Sequence, residues 1–350
     1  MTLYNTYPHF FYRQLFLSPS KPPSSLSLHG QTGLITGANT GLGYEAAAQL
    51  LSLGLTRLIM GVRSVSKGEA ARQKLLKSLP NSGDPPVIEV WELDLATYSS
   101  ITAFVDRIKQ SAVNLDFAVL NAGVVQFEFE LNEPTGNEQS IQINWLSTAL
   151  LTVCLLPILD SQATAYPERR RPILSIIGSE TAAWAKFREA QVATKQHTTL
   201  LQTLNDGKDF EGVERYYVSK LLYQLFFLEL VHNHRSSNHR SNGTVLNLVN
   251  PGFCYGTDLH RGAEGIMGKI FGAIKRGIGR SVPMGARTLV YGAVVAGPES
   301  DGKYLSDNRV APFAGYVTSS SGRIIQEKVW EETVIELGKV VDIKTLLSEI

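Results

Sequence analysis

Residues 33–47 read Gly33-Leu34-Ile35-Thr36-Gly37-Ala38-Asn39-Thr40-Gly41-Leu42-Gly43-Tyr44-Glu45-Ala46-Ala47. Leu34–Thr36 is a short apolar run that predicts a strand, and Leu42–Leu53 predicts a helix with Ala46, Ala47, Leu50 and Leu51 on one face. Three glycines, Gly37, Gly41 and Gly43, fill the turn between them. Glycine lets a backbone turn tightly and approach an anion with no Cβ in the way. A helix amino terminus adds unpaired N–H groups and a partial positive charge. The stretch therefore reads as a pyrophosphate cradle. A glycine turn standing alone also reads as an ordinary strand-to-helix connection.

The rest of the chain supplies the context. Strand-like runs at Arg57–Val62, Val87–Leu93, Phe117–Leu120, Ile173–Ile177, Thr244–Val249 and Tyr304–Leu305 are separated by helical patterns. The helices are expected at Lys67–Leu79, Ser99–Ser111, Glu138–Leu159 and Glu214–His232. This alternation predicts an α/β chain with a doubly wound parallel sheet of the Rossmann type. Sheets of this kind bind ligands at the carboxyl ends of their strands. Residues 1–29, with Pro19, Pro22 and Pro23 among serines, read as an irregular amino-terminal extension. Residues 30–350 read as a single domain.

Composition bounds the function classes. The chain has 350 residues and 43% hydrophobic content, enough for a large core. Lys and Arg number 33 against 32 Asp and Glu, and a net charge of +1 gives no reason to expect a nucleic acid partner. Cys154 and Cys254 alone build neither a disulfide framework nor a metal site, which suits a reducing, cytoplasmic setting. The apolar run Phe10–Leu17 is broken by Arg13 and Gln14, and Thr148–Leu159 contains Pro157. Both are too short to span a bilayer, so no integral membrane segment is expected. The charge run Arg169–Arg171 reads as a solvated turn.

About twenty residues beyond the glycine turn, an acidic residue would hold the ribose 2′-hydroxyl of NAD. Arg63 stands there instead, with Lys67 one helical turn on. A guanidinium fork suits a 2′-phosphate, so the expected cofactor is NADP. The competing reading is two exposed surface cations.

Tyr216 and Lys220 lie four apart in a predicted helix and so share a face. A nearby ammonium favours a phenolate, and lowering a tyrosine by roughly two units requires about 3 kcal/mol. Tyr217 is the adjacent alternative, but three residues from Lys220 it should point elsewhere. Ser179 follows the strand Ile173–Ile177, where a hydroxyl can donate to a substrate oxygen as charge develops. Asn144 lies in a helical run after the strand Phe117–Leu120, and also reads as an ordinary helix residue.

Taken together, residues 30–310 resemble the short-chain dehydrogenase/reductase family. The motifs that carry this are Thr36-Gly37-x-x-x-Gly41-x-Gly43, Asp94-Leu95, Asn121-Ala122-Gly123, Asn144, Ser179, Tyr216 with Lys220, and Pro251-Gly252. The spacing of three residues between Gly37 and Gly41 is that family's form. Resemblance implies that Gly37, Asn39, Thr40, Gly41, Leu42 and Gly43 hold the cofactor phosphates and that Asp94 and Leu95 lie by the adenine. It implies that Asn121, Ala122 and Gly123 line the adenosine side and that Pro251 and Gly252 back the nicotinamide. Asn144 would hold a water linking Lys220 to solvent. Ser179 would orient the carbonyl, Tyr216 would transfer the proton, and Lys220 would also bind the ribose. One departure is that Phe253, Cys254, Tyr255 and Gly256 intervene before Thr257, more than the family usually places there.

Asn144-Trp145-Leu146, the Ala-Ala run after the glycines and Gly302-Lys303-Tyr304-Leu305-Ser306 resemble the retinol-dehydrogenase-like branch, especially fungal members of secondary-metabolite biosynthesis. The implied activity is hydride transfer between NADPH and a lipophilic ketone, aldehyde or alcohol. A non-catalytic NADP sensor and an epimerase or dehydratase with transient hydride transfer are the rival readings. Two segments, about 180–213 and 257–285, are expected to cover the substrate. The second has Ile266, Ile270, Ile274 and Ile278 at helical spacing with Lys269, Lys275 and Arg276 between, a pattern suited to a lid or to peripheral membrane contact. Glu138–Leu159 and Glu214–His232 are candidates for pairing across a homodimer, and core packing explains their apolar residues equally well.

Overall fold

In this computed structural model the structure describes residues 3–80, 84–236, 243–257 and 277–348. Eight strands form one sheet: β1 (Thr32–Thr36), β2 (Arg57–Val62), β3 (Val87–Glu92), β4 (Phe117–Leu120), β5 (Ile173–Ile177), β6 (Val245–Asn250), β7 (Lys303–Ser306) and β8 (Arg309–Ala311). Their order is β3-β2-β1-β4-β5-β6-β7-β8. All pairs are parallel except β7 with β8, which is antiparallel. The chain reverses its direction of winding between β1 and β4. That is the crevice in which open parallel sheets take ligands.

Strand periodicity divides the core into two apolar layers, one per face. In β1, Leu34 joins one layer and Ile35 the other, both fully buried. The layer of Ile35 is covered by α2 (Gly41–Ser52), α3 (Val65–Ser78) and α9 (Val282–Val290). The layer of Leu34 is covered by α4 (Tyr98–Gln110), α5 (Gln139–Ala165) and α8 (Gly212–Ser236).

Helix α5 runs 27 residues, with a π-helical turn at Gln142–Ser147. It is longer than the sequence pattern predicts, and among the described residues it alone is long and apolar enough to cross a bilayer. What marks it as a core helix is burial, 89% over its most apolar window, and not shortness.

The amino-terminal segment also departs from expectation. Tyr7–Phe16 forms a helix, α1, begun by Pro8 in its first turn. Phe10, Arg13 and Gln14 face inward, while Phe11, Tyr12, Leu15 and Phe16 are exposed. Residues 180–213 fold into a 3-10 turn, Glu180–Trp184, then α6 (Arg188–Gln196) and α7 (Leu200–Leu204). Helix α10 (Ser320–Leu337) packs beside α8, and its buried Glu332 caps α7 by accepting the N–H groups of Leu200 and Leu201 at 2.7 and 2.9 Å. Most of the expected amphipathic segment, 258–276 with Ile266, Ile270 and Ile274, lies outside the described residues.

Candidate active site

The glycine turn sits at the carboxyl end of β1, and α2 begins within it. Gly37 and Gly41 have φ of +67° and +57°, the left-handed region that favours glycine. A Cβ on Gly43 would lie 2.5 Å from the Gly37 carbonyl and 2.6 Å from Asn121 Nδ2. The helix therefore starts hard against the turn, and its first N–H groups have no partner inside the helix. Such a cradle fits a pyrophosphate, and the backbone of Gly41, Leu42 and Gly43 would hold it.

Asn121 and Ala122, just past β4, fix the turn from beneath. Both donate their backbone N–H to Thr36 Oγ1, at 2.9 and 3.0 Å, and Asn121 Nδ2 donates to the Thr36 carbonyl at 2.9 Å. This bond set ties the ends of β1 and β4 together at the reversal point. Thr36, quoted in the sequence only as the start of the glycine motif, is thereby the acceptor that locks the turn.

At the end of β2, Arg63 and Lys67 are both exposed, and Ser64 between them caps α3 by accepting the Lys67 N–H at 3.4 Å. No acidic residue follows β2 before Glu69. Asp94, past β3, accepts the Ala96 N–H at 2.9 Å and keeps a part-exposed position. Leu95 turns into the core, and its carbonyl accepts from Ser147 Oγ at 2.5 Å.

The polar cluster lies at the ends of β4, β5 and β6. Asn144, in the π-helical turn, pairs its carboxamide with the backbone of Val124, accepting at 2.9 Å and donating at 2.8 Å. It also donates to Ser219 Oγ at 3.0 Å. Helix α8 brings Tyr216, Ser219 and Lys220 onto the same side. Lys220 Nζ donates to the Ile177 carbonyl at 2.8 Å and lies 5.9 Å from the centre of the Tyr216 ring. Gly123 leaves room for this pair: a Cβ there would be 3.1 Å from Asn144 Oδ1 and 3.7 Å from Lys220 Nζ. Ser179, at the end of β5, shares a hydrogen bond with Thr181 Oγ1 at 2.8 Å.

Burial dominates the electrostatics. It pushes the Tyr216 phenol up to about 12, only partly opposed by the hydrogen bond with Ser179. Burial also pushes the Lys220 ammonium down to about 8. Burial, not Lys220, therefore sets the direction of the Tyr216 shift, and the lowering expected from a close ammonium is not seen here.

Past β6, Gly252 has φ of +78° and donates its N–H to Asn250 Oδ1 at 3.1 Å. Thr257 stands about as far as van der Waals contact from where a Gly41 Cβ would be, 3.9 Å, so the long Phe253–Gly256 insert still returns to the glycine turn. Cys154 and Cys254 are both buried and form no disulfide among the described residues.

These features, a doubly wound sheet with a glycine cradle at its reversal point and a Ser, Tyr, Lys and Asn cluster beside it, define a nucleotide-dependent oxidoreductase class. Comparisons with known proteins agree. Residues 31–165 match the family model for short chain dehydrogenases. The chain is 37% identical to the short chain dehydrogenase/reductase mfmJ of Annulohypoxylon moriforme over 335 residues, covering 94% of this chain and 91% of that protein. It is 37% identical to the short-chain dehydrogenase fogG of Aspergillus ruber, with 94% and 91% covered. Among solved structures, the Pseudomonas aeruginosa RhlG/NADP complex superposes with a TM-score of 0.59 at 18% identity, over 81% of this chain and 97% of that one. The protein belongs to the short-chain dehydrogenase/reductase family.

Proposed function

We propose that this protein is an NADP-dependent oxidoreductase that transfers a hydride between NADPH and the carbonyl carbon of a lipophilic ketone or aldehyde, or runs the reverse oxidation. A secondary metabolite such as a polyketide or terpenoid is the proposed substrate type. The observation that carries this reading is the convergence of Ser179, Tyr216, Lys220 and Asn144 beside the glycine cradle. The exposed Arg63 and Lys67 at the end of β2, where an acid would favour NAD, support the choice of NADP.

The cofactor, when bound, supplies the hydride. The chain does the rest. Gly41, Leu42 and Gly43 orient the pyrophosphate, and Arg63 and Lys67 meet the 2′-phosphate. Ser179 and Tyr216 are the two hydroxyls that donate to the substrate carbonyl oxygen. The raised Tyr216 keeps its proton at neutral pH and is the donor that reduction requires. Asn144 fixes the β4 exit, and with it the wall behind Lys220.

NADPH consumption by the purified protein against a panel of lipophilic ketones and aldehydes tests this, with Tyr216→Phe in parallel. Turnover by the wild type that falls at least about a hundredfold in Tyr216→Phe is expected. Full activity in that variant would remove Tyr216 from the proton step.

A further inference from the structure

Helix α1 lies across the carboxyl ends of β5, β6 and β7, the edge at which the proposed chemistry occurs. Arg13 fastens it there. Its guanidinium is 2% exposed as a residue and pairs with Glu180, the neighbour of Ser179, and with Asp307 at 2.9 Å, just past β7. Arg280 pairs with the same Asp307 and donates to the carbonyls of Arg13 and Leu17, at 3.2 and 3.1 Å. Two buried cations and two buried carboxylates thus cancel. Buried charges tolerate few geometries, so this set fixes α1 in one place. Arg280 also packs on Gly252, where a Cβ would lie 2.7 Å from its Nη1. A third tie is Trp184 Nε1 donating to the Asn5 carbonyl at 3.3 Å.

What α1 brings to that edge is aromatic. Phe10 meets Trp184 edge-on at 5.0 Å between ring centres and Phe253 at 6.3 Å. Tyr7 stacks on Trp184 at 4.8 Å. Trp184 meets Tyr217 at 6.0 Å, and Tyr217 meets Tyr216 at 6.4 Å. The rings form an arc. One end is the proposed proton donor, and the other is Phe253, which directly follows Pro251-Gly252. Trp184, Tyr217 and Phe253 are each only partly buried.

We propose that α1 is part of the substrate site: Arg13 positions it, and Phe10, itself buried, backs a face of Trp184, Tyr217 and Phe253 that takes a planar aromatic ring of the substrate. This rests on the reading that the reacting carbonyl sits between Ser179 and Tyr216. A partly wetted aromatic face gains by covering itself with another flat ring, through area and through the quadrupole preference for offset or edge contact. A saturated, puckered ring of the same size gains only the area. The face therefore selects for flatness, not merely for oiliness. Phe10, near the start of the chain, and the reacting residues, near its middle, are joined by the Arg13–Glu180 pair.

The test is equilibrium binding to the full chain loaded with NADP, with 2-acetylnaphthalene and its saturated counterpart 2-acetyldecalin as probes. Binding is read by calorimetry, so turnover is not needed. The wild type is expected to bind the flat ketone about tenfold more tightly than the puckered one, and Phe10→Ala to lose most of that ratio. Arg13→Met should lose it too, and Arg13→Lys should restore part of it, with folding of each variant checked by its melting curve. If the wild type binds both ketones alike, or neither, the aromatic face is not a ring site. A ratio unchanged in folded Phe10→Ala would equally overturn the proposal. Failure of the hydride-transfer reading shows separately, as full activity in Tyr216→Phe with the binding ratio intact.

Discussion

Among the described residues, Lys220 has one hydrogen-bond acceptor, the Ile177 carbonyl at 2.8 Å, and no carboxylate paired with it. Its burial holds the ammonium at about 8 where 10.5 is ordinary. A depressed lysine weakens folding, and the sign follows from proton counting. Between the two values the unfolded chain binds the proton and the folded one does not, so stability rises with pH there. Below about 8 both forms are charged and the full cost is present. The gap between 10.5 and about 8 corresponds to about 3 kcal/mol, at about 1.4 kcal/mol per pH unit. Replacing Lys220 with Met keeps most of the volume and removes that cost, but leaves the Ile177 carbonyl unpaired, a loss of about 1 kcal/mol. The cofactor-free Lys220→Met protein should be about 2 kcal/mol more stable than wild type at pH 7. That advantage should shrink by at least about half by pH 9.5. Urea unfolding of both proteins at the two pH values measures it, through the midpoint at equal slope. A variant less stable at pH 7 by an amount independent of pH would refute the argument, because Lys220 would then be a net support of the fold.

Other expectations follow from equally local geometry. Gly43→Ala drives a methyl group into the Gly37 carbonyl and Asn121 Nδ2, so it should cost about 1–3 kcal/mol of stability in thermal unfolding and weaken NADPH binding in the same protein. Arg63→Asp should weaken NADPH by about tenfold or more, since one charge-assisted contact to phosphate is worth about 1.5–3 kcal/mol and exposure favours the lower end. NADH should be spared, and the NADPH loss should shrink at high salt; equal loss for both nucleotides in a binding titration would remove Arg63 from the phosphate. Asp160 is buried against His234 Nε2 at 2.8 Å and accepts the Thr244 N–H at 2.7 Å; although burial works against it, these partners hold its carboxyl below the usual range. A depressed acid gives stability that is present above its unfolded value and lost as pH falls through the lower folded one, so Asp160→Asn should cost about 2 kcal/mol at pH 7, a cost that shrinks as the pH falls below the ordinary carboxylate range in denaturant titrations.

The layout of the sheet was legible because its signals are local. Each of β1 to β6 is a short apolar run followed by a turn, and the residues now found at the reversal point stand within a few positions of a strand end. Thr36, Gly37, Asn121 and Ser179 needed no knowledge of distant partners. The features that stayed hidden depend on pairs far apart in sequence. Arg13 and Glu180 are separated by 167 positions, and Arg13 in isolation reads as an interruption of an apolar run. Glu332 reads as a solvent-facing acid, since such residues are seldom buried, yet it is spent on the N–H groups of α7. Helix α5 shows the same limit from the other side: its apolar length is plain in the sequence, but only the neighbours on every side show that it faces protein.

The Tyr216–Lys220 pair was legible as a spacing and misread as an electrostatic state, and the reason bears on direction. Spacing fixes which face two side chains share, not how much water reaches them. Here the same enclosure acts on both groups and drives each toward its neutral form, the phenol to about 12 and the ammonium to about 8. A neutral phenol is already the reactant that carbonyl reduction consumes. The reverse reaction must begin from a phenolate, which this enclosure resists until a compensating charge arrives. In the proposed reaction the phenol is thus ready to donate, and the reverse oxidation would depend on charge brought by cofactor or substrate to stabilise the phenolate.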